Sequence, residues 1–189
     1  ERFRNRFLHR IRYLDTLHMD DGDLEAFARD LIARPATLLF GHAHSLYLFA
    51  LFVRSRGLKG IVPKGIISTA MVLMETERAV IEQVFQAKVF NRYGCEELSL
   101  VASECEFHGG LHVNLDMLVV EVLKDGRPAR PGEVGDVVVT DLYNYGMPFI
   151  RYRVGDVAVP SDRKCACGRG FPLLERVEGR TADYVITPD

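Results

Sequence analysis

The chain carries two hydrophobic rhythms, and the change from one to the other falls near residue 97. Up to that point apolar residues recur at three- and four-residue spacing between short β-branched runs, the pattern of amphipathic helices laid against strands. Beyond it, alternation every second residue and turn dipeptides take over, as in antiparallel sheets. The expected fold class is α/β, with a parallel-sheet α/β portion over residues 1–97 and a β-rich portion over residues 98–189.

In the first portion, Phe3, Phe7, Leu8, Ile11 and Leu14 share one helical face, and Arg2, Arg6 and Arg10 lie on another. Such a segment suits a membrane surface, a nucleic-acid contact or a helix docked on a neighbour. A docked helix with a solvated charged face is the reading adopted. Asp20, Asp21 and Asp23 offer N-cap chemistry for a helix to about Ala33, which Arg34-Pro35 stops by forcing residue 34 out of the α region. A strand is expected over residues 37–40. Gly41-His42-Ala43-His44-Ser45 then opens a helix to about Arg56, closed by Gly57. At a helix start, His42 and His44 read as pocket or capping residues rather than metal ligands. Residues 64–68 read as a strand, and residues 75–87 as a helix with Val80, Ile81, Val84 and Phe85 on its apolar face. Parallel strands place ligand sites beyond their carboxyl ends, so Gly41-His42, Ser68-Thr69-Ala70 and Tyr93-Gly94 should converge on one rim.

In the second portion, residues 111–113 and 117–123 are strand-like, and Lys124-Asp125-Gly126-Arg127 has hairpin-turn chemistry. Another strand is expected over residues 134–142, after Pro131-Gly132. Residues 148–156 read as a strand ending in a Gly155-Asp156 turn, with Val157 and Val159 beyond. A carboxylate on such a turn can accept two hydrogen bonds from vicinal hydroxyls; the same dipeptide serves equally as a plain hairpin turn.

Two groups of residues carry candidate chemistry. Asn91-Arg92-Tyr93-Gly94-Cys95-Glu96-Glu97 combines an aromatic face for a base, a Gly where backbone can approach a ligand, and carboxylates for a hard cation. Its structural alternative is a strand-end turn with solvated glutamates. The second group is Cys165-Ala166-Cys167-Gly168, a tight loop with two thiols, together with Cys105 and His112 on either side of Gly109-Gly110 and with His108 nearby. Three sulfurs and one nitrogen make a closed tetrahedral set, which suits structural zinc; unliganded reduced cysteines are the alternative. Cys95 is expected to line a pocket wall.

Composition narrows the function classes. With 189 residues, 48% of them hydrophobic, the chain can build a real core. A formal charge of −2 and a pI near 6.3 give no field for general binding to nucleic acid or to an anionic membrane. No apolar run is long enough to span a bilayer and no secretory signal is evident, so a cytoplasmic location is expected. Four cysteines are too few for a disulfide scaffold in a chain of this length.

Residues 91–97, Gly132-Glu133-Val134-Gly135-Asp136, Tyr152-Arg153-Val154-Gly155-Asp156 and Gly179-Arg180, in that order, resemble successive motifs of the adenylate-forming acyl-CoA synthetase superfamily. Glu104-Cys105, Gly110-Leu111-His112, Pro148-Phe149-Ile150-Arg151-Tyr152 and residues 165–169 resemble its phenylacetate-CoA ligase-like branch, which includes capsule-biosynthesis relatives. The resemblance implies a β-rich portion shaped as a distorted barrel. It also implies ATP-dependent adenylation of a carboxylic acid, followed by transfer of the acyl group to coenzyme A. By the same resemblance Tyr93 stacks on adenine, with Asn91 and Gly94 beside it, and Ser68, Thr69 and Ala70 form the other wall of the base pocket. Asp156 binds the ribose hydroxyls, assisted by Arg180. Glu97 is the catalytic residue, acting through Mg²⁺ on the ATP phosphates, and Cys105, His112, Cys165 and Cys167 hold zinc. Residues 41–49, 68–70 and 95–99 would line the acyl pocket.

The family's Ser/Thr/Gly-rich phosphate loop has no counterpart here and is expected upstream of Glu1; the small lysine-bearing domain is expected after Asp189. An internal segment of a longer enzyme, inactive in adenylation by itself, is therefore expected. Glu96 stands where the wider superfamily often has Thr or Ser, and Ala182 where the hinge usually has Asp or Lys. A zinc-stapled binding module without catalysis, and acid activation for transfer to a sugar or carrier protein, are the alternative functions. Oligomeric state stays open, a homodimer being one option.

Overall fold

A computed structural model describes residues 11–17 and 19–181. Three helices, α1 (Asp21–Ala33), α2 (Ala43–Ser55) and α3 (Glu75–Phe85), alternate with the first strands, β1 (Leu38–His42), β2 (Gly65–Thr69) and β3 (Val89–Cys95). Seven further strands follow: β4 (Ser99–Glu104), β5 (Leu111–Val113), β6 (Leu118–Lys124), β7 (Arg127–Pro128), β8 (Gly135–Asp141), β9 (Tyr152–Ser161) and β10 (Leu173–Arg180). All ten lie in one sheet, in the order β1-β2-β3-β4-β5-β10-β9-β8-β6-β7. Among the described residues the ladder is open, with β1 and β7 at its ends, so the barrel implied by the resemblance is not closed.

The helix ends follow local chemistry. The Asp20 side chain accepts the Asp23 amide at 2.8 Å and starts α1. His42 occupies the N-cap position of α2, but its side chain makes no capping bond. His44, in the first turn, instead meets Glu77 of α3 at 3.1 Å. Helix α3 ends at Phe85, two residues before the expected end, because Gln86 adopts a left-handed φ of 51°. Residues 2–10 of the expected N-terminal helix lie outside the described residues. Residues 11–14 are not helical; Arg12 reaches across to the Asp30 carboxylate at 2.9 Å and the Arg34 carbonyl at 2.6 Å.

Two apolar cores lie along the sheet. The first joins Ala28 and Leu31 of α1, Phe49 of α2 and Ile81 and Phe85 of α3 to Leu39, Ile66 and Val89 of the parallel strands. Phe49 is its hub, with ring centroids 5.4 Å from Phe27 and 5.6 Å from Phe85. The second gathers Val101, Ala102, Leu118, Val137, Val139 and Ala158 from the antiparallel strands, with Tyr93 and Cys95 packed against it. Strand β3 therefore serves both.

That strand also changes pairing partner. Val89 to Asn91 pair in parallel with β2, and Arg92 to Cys95 pair antiparallel with β4. The heptapeptide motif accordingly lies in the strand as far as Cys95, while Glu96 and Glu97 are exposed in the turn that follows. The pairing with β4 requires glycine at position 94, since a Cβ there would sit 2.0 Å from the Ser99 carbonyl oxygen. Gly135 has a similar reason, with a Cβ position 2.7 Å from the Leu123 carbonyl oxygen.

Candidate active site and metal centre

Irregularities in three strands aim side chains at one place. In β9 the ladder with β8 slips between the Asp136 and Val138 pairs, and Gly155, at φ 83°, is the residue of the extra stretch that only glycine adopts readily. Gly155-Asp156 is thus a mid-strand bulge, where a terminal turn had been expected. In β10 a second slip falls between Val177 and Gly179, at φ 116°, and brings Arg180 opposite Asp156. Thr181 closes the corner by donating its hydroxyl to the Gly155 carbonyl at 3.1 Å.

The outcome is a compact cluster. The Tyr93 hydroxyl donates to Asp156 Oδ2 at 2.8 Å, and Arg180 Nε lies 3.4 Å from Asp156 Oδ1. Asp156 is buried, 8% exposed, so its charge is held by this pair of partners. Burial, followed by the neighbouring Asp156 carboxylate, pushes the Tyr93 phenol well above the usual tyrosine range, which keeps it a neutral donor.

Beside it, the Tyr152 hydroxyl donates to Glu97 Oε1 at 2.9 Å. Glu97 is exposed, and its own backbone N–H and the Tyr152 hydroxyl hold its carboxyl below the usual range. Arg180 acts electrostatically on both Glu97 and Tyr93, which joins the two pairs. Cys95 lies among them half-buried, its thiol pushed up by burial and by Glu97, so it is a neutral wall group and a poor nucleophile. Tyr152 was not among the sequence-derived site residues. Its signal was its place where the Pro148–Tyr152 and Tyr152–Asp156 motifs overlap. Arg151, at φ 49°, turns the chain there; its amide is held by the Thr140 hydroxyl at 2.9 Å, and its guanidinium by Glu121 at 3.0 and 3.1 Å.

Of the rim expected from strand ends, the Gly41-His42 and Ser68-Thr69 parts lie side by side, whereas Tyr93 and Gly94 pair with β4 and not with β2. Gly41 pairs with Ser68, Ser68 with Asn91, and His42 with Thr69. Ala70 follows β2 at φ 66°, an unfavourable value for a residue with a Cβ. A Cβ on Gly179 would lie 3.8 Å from Val72, so the turn after β2 reaches the Arg180 corner. Ser68 is fully buried and its hydroxyl has no partner among the described residues.

The second cluster is Cys105, His112, Cys165 and Cys167, whose ligand atoms all lie within 4.8 Å of one another. Cys105 Sγ is 3.5 Å from Cys165 Sγ, and Cys167 Sγ is 3.5 Å from His112 Nε2. Metal–ligand bonds of about 2.0 to 2.3 Å give tetrahedral edges of roughly 3.5 to 3.8 Å, so this donor set fits a single tetrahedral ion. The Phe107 and Arg169 amides point at Cys105 and Cys167 sulfurs, each at 3.5 Å, a pattern that favours thiolates. Gly168, at φ 77°, returns its amide to the Cys165 carbonyl at 3.2 Å and tightens the loop. His108 is elsewhere, 3.1 Å from Glu104 and against the Phe90 ring.

The site thus has two parts, an aromatic-acid-guanidinium corner and a Cys₃His cluster. Among known proteins, the chain is similar to the phenylacetate-coenzyme A ligase of Thermus thermophilus, 33% identical over 117 residues, covering 59% of this chain and 26% of that one. It is similar also to Protein CapK of Staphylococcus aureus, 22% identical over 174 residues, covering 91% of this chain and 37% of the relative. The chain therefore spans between a quarter and two fifths of these curated relatives. No family model matches.

Solved structures agree on the fold. An open conformation of 2-hydroxyisobutyryl-CoA ligase, in complex with 2-HIB-AMP and CoA, matches with a TM-score of 0.77 at 22% identity, over 89% of this chain and 42% of that one. The anthranilate CoA ligase AuaEII, in complex with anthranoyl-AMP, matches with a TM-score of 0.66 at 13% identity, over 86% of this chain and 33% of that one. These CoA-ligase structures share the fold of this chain over most of its length. Among the described residues no helix is long and apolar enough to cross a membrane.

Proposed function

We propose that this chain is the nucleotide-holding segment of an AMP-forming acid-thiol ligase, which adenylates a carboxylic acid with ATP and passes the acyl group to coenzyme A. The observation that carries the reading is the contact between Tyr93 and Asp156, distant in the chain and joined at 2.8 Å, with Arg180 on the carboxylate's other oxygen. Each oxygen of Asp156 keeps a lone pair for one of two vicinal ribose hydroxyls. The Tyr93 ring, Asn91 and the rim at Ser68, Thr69 and Ala70 are proposed to frame the base. Arg180 offsets negative charge at the corner.

Glu97 is proposed to hold Mg²⁺ on the phosphates, since its carboxylate is exposed and is held anionic by its own backbone N–H and the Tyr152 hydroxyl. Bound there, the metal would neutralise phosphate charge as an anionic carboxylate approaches. The Cys105, His112, Cys165 and Cys167 set would hold structural zinc, stapling the loop between β9 and β10 to the turn between β4 and β5. Its four protein donors leave no open position for chemistry. The substrates are a small-molecule acid, an aryl acid such as phenylacetate among the candidates, and coenzyme A, in keeping with relatives and neighbours that are CoA ligases. Formation of the adenylate is proposed to need more of the protein than these 189 residues.

Pyrophosphate exchange by the full-length gene product, run against aryl and short-chain acids, tests the reading. Exchange that depends on one acid class is expected; absence of exchange with every acid, in protein that is folded and metal-loaded, would overturn it.

A further inference from the structure

The buried polar network around Glu104 lies between the two clusters and belongs to neither. Glu104 ends β4, is directly followed by the metal-site Cys105, and its side chain is only 7% exposed. Its carboxylate collects donors from three directions. Arg78 of α3 gives two, at 2.6 Å to Oε1 and 3.2 Å to Oε2. The backbone amide of Asn91 donates to Oε2 at 2.8 Å, and His108 Nδ1 lies 3.1 Å from the same oxygen. Arg78 also donates to the Val89 carbonyl at 2.6 Å.

The location explains why a charge pair is buried there. At Asn91 strand β3 leaves β2 and takes up β4, and its amide needs a partner at the exchange point. Glu104 supplies it. A second connection runs beside it across the sheet, since His112 pairs with Ser103 and Ser103 with Arg92. The metal donors Cys105 and His112 are thus each one step from the backbone that presents Tyr93.

We propose that Glu104 is a positioning residue that couples occupancy of the Cys₃His centre to the order of strand β3 at residues 91–94, so that metal and nucleotide bind cooperatively. An ion held by Cys105 fixes the end of β4 and keeps the carboxylate on the Asn91 amide. Without the ion Cys105 is released, the carboxylate shifts, and a buried amide loses its partner. Coupling of this kind is reciprocal, so nucleotide must retain metal by the same factor by which metal strengthens nucleotide binding. The coupling of metal to strand stands on geometry alone; its extension to nucleotide rests on the proposed function.

The test is amide hydrogen exchange on the full-length gene product, zinc-loaded and after chelation, in the wild type and in the double variant R78M/E104M, which removes both buried charges together. In the wild type, exchange at residues 91–94 should accelerate at least tenfold on chelation. In the double variant, zinc content should persist while the rate at these residues no longer responds to zinc. A wild-type rate indifferent to chelation, or a double variant that responds as the wild type does, overturns the proposal. Loss of fold in the double variant leaves the wild-type comparison decisive. In parallel, AMP affinity should fall about fivefold or more on chelation, within the usual range of coupling factors. Equal affinity in both states overturns the coupling while leaving the ligase reading intact. Zinc-dependent exchange without any AMP binding supports the Glu104 link and removes the nucleotide reading.

Discussion

Tyr93 and Asp156, 63 residues apart in the chain, are joined by a 2.8 Å hydrogen bond in which the phenol donates to a buried carboxylate. The contact is possible because β9 bulges at Gly155 while β3 has already exchanged β2 for β4. Tyr93→Phe keeps the ring and removes the donor. It should lower stability by about 1.5 to 3 kcal/mol, since a hydrogen bond to a charged group is lost, and weaken AMP binding several-fold without abolishing it. Urea denaturation and AMP titration on the same preparation measure both.

The pair of Tyr152 and Glu97 sits at the surface, where loss of one hydrogen bond costs little in folding. Tyr152→Phe and Glu97→Gln should therefore leave the unfolding midpoint unchanged while weakening the magnesium dependence of ATP binding several-fold. ATP titrations at stepped magnesium concentrations read this out. An equal response with and without magnesium would place Glu97 outside the cation site.

The Cys₃His set should retain one zinc per chain through purification. Cys165→Ser and Cys167→Ser should each lose it and lower the unfolding temperature, whereas Cys95→Ser should keep it. Cobalt exchange offers a spectroscopic check: sulfur-rich tetrahedral ligation gives intense visible bands, and these should vanish in Cys105→Ser.

Glu133 has a structural part in the Gly132-Glu133-Val134-Gly135-Asp136 motif. Its carboxylate takes two bonds from Arg127, at 2.9 and 3.2 Å, and the Arg130 amide at 2.8 Å, holding β7 against the approach to β8. Arg127 first, then the Arg130 amide, lowers its carboxyl to about 2. A depressed value means that the contact is complete above the ordinary glutamate range and is lost only as pH falls toward 2. A carboxylate-carbon titration by NMR should find Glu133 still ionised at about pH 3.5, below the ordinary glutamate value.

Much of the α/β portion was legible because its determinants are local. Asp20 as a cap, Arg34-Pro35 as a stop and the apolar face through Ile81 and Phe85 place α1 and α3 closely, and the Asp125-Gly126 turn joins β6 and β7 as expected. What the sequence concealed is non-local. Strand β4 carries the bulge opposite Gly94, and nothing in Ser99-Leu100 announces that its carbonyl approaches the glycine so closely. Gly155-Asp156 reads as a turn by composition, yet Arg153 is held by β8 and Val157 by β8 and β10, which carries the strand onward. The grouping of Cys105, His112, Cys165 and Cys167 was legible from residue type, since three thiols and an imidazole flank two tight glycine turns. Glu104 stands out in the sequence only as the neighbour of Cys105, because its four donors come from α3, β3 and the following turn.

The most direct measurement is calorimetric titration of AMP into the full-length gene product and into its Asp156→Ala variant, both zinc-loaded and both checked for fold. Saturable binding by the wild type and a loss of at least tenfold in affinity in the variant are expected from a ribose held at the Tyr93, Asp156 and Arg180 corner. Equal affinity in the two proteins would contradict it.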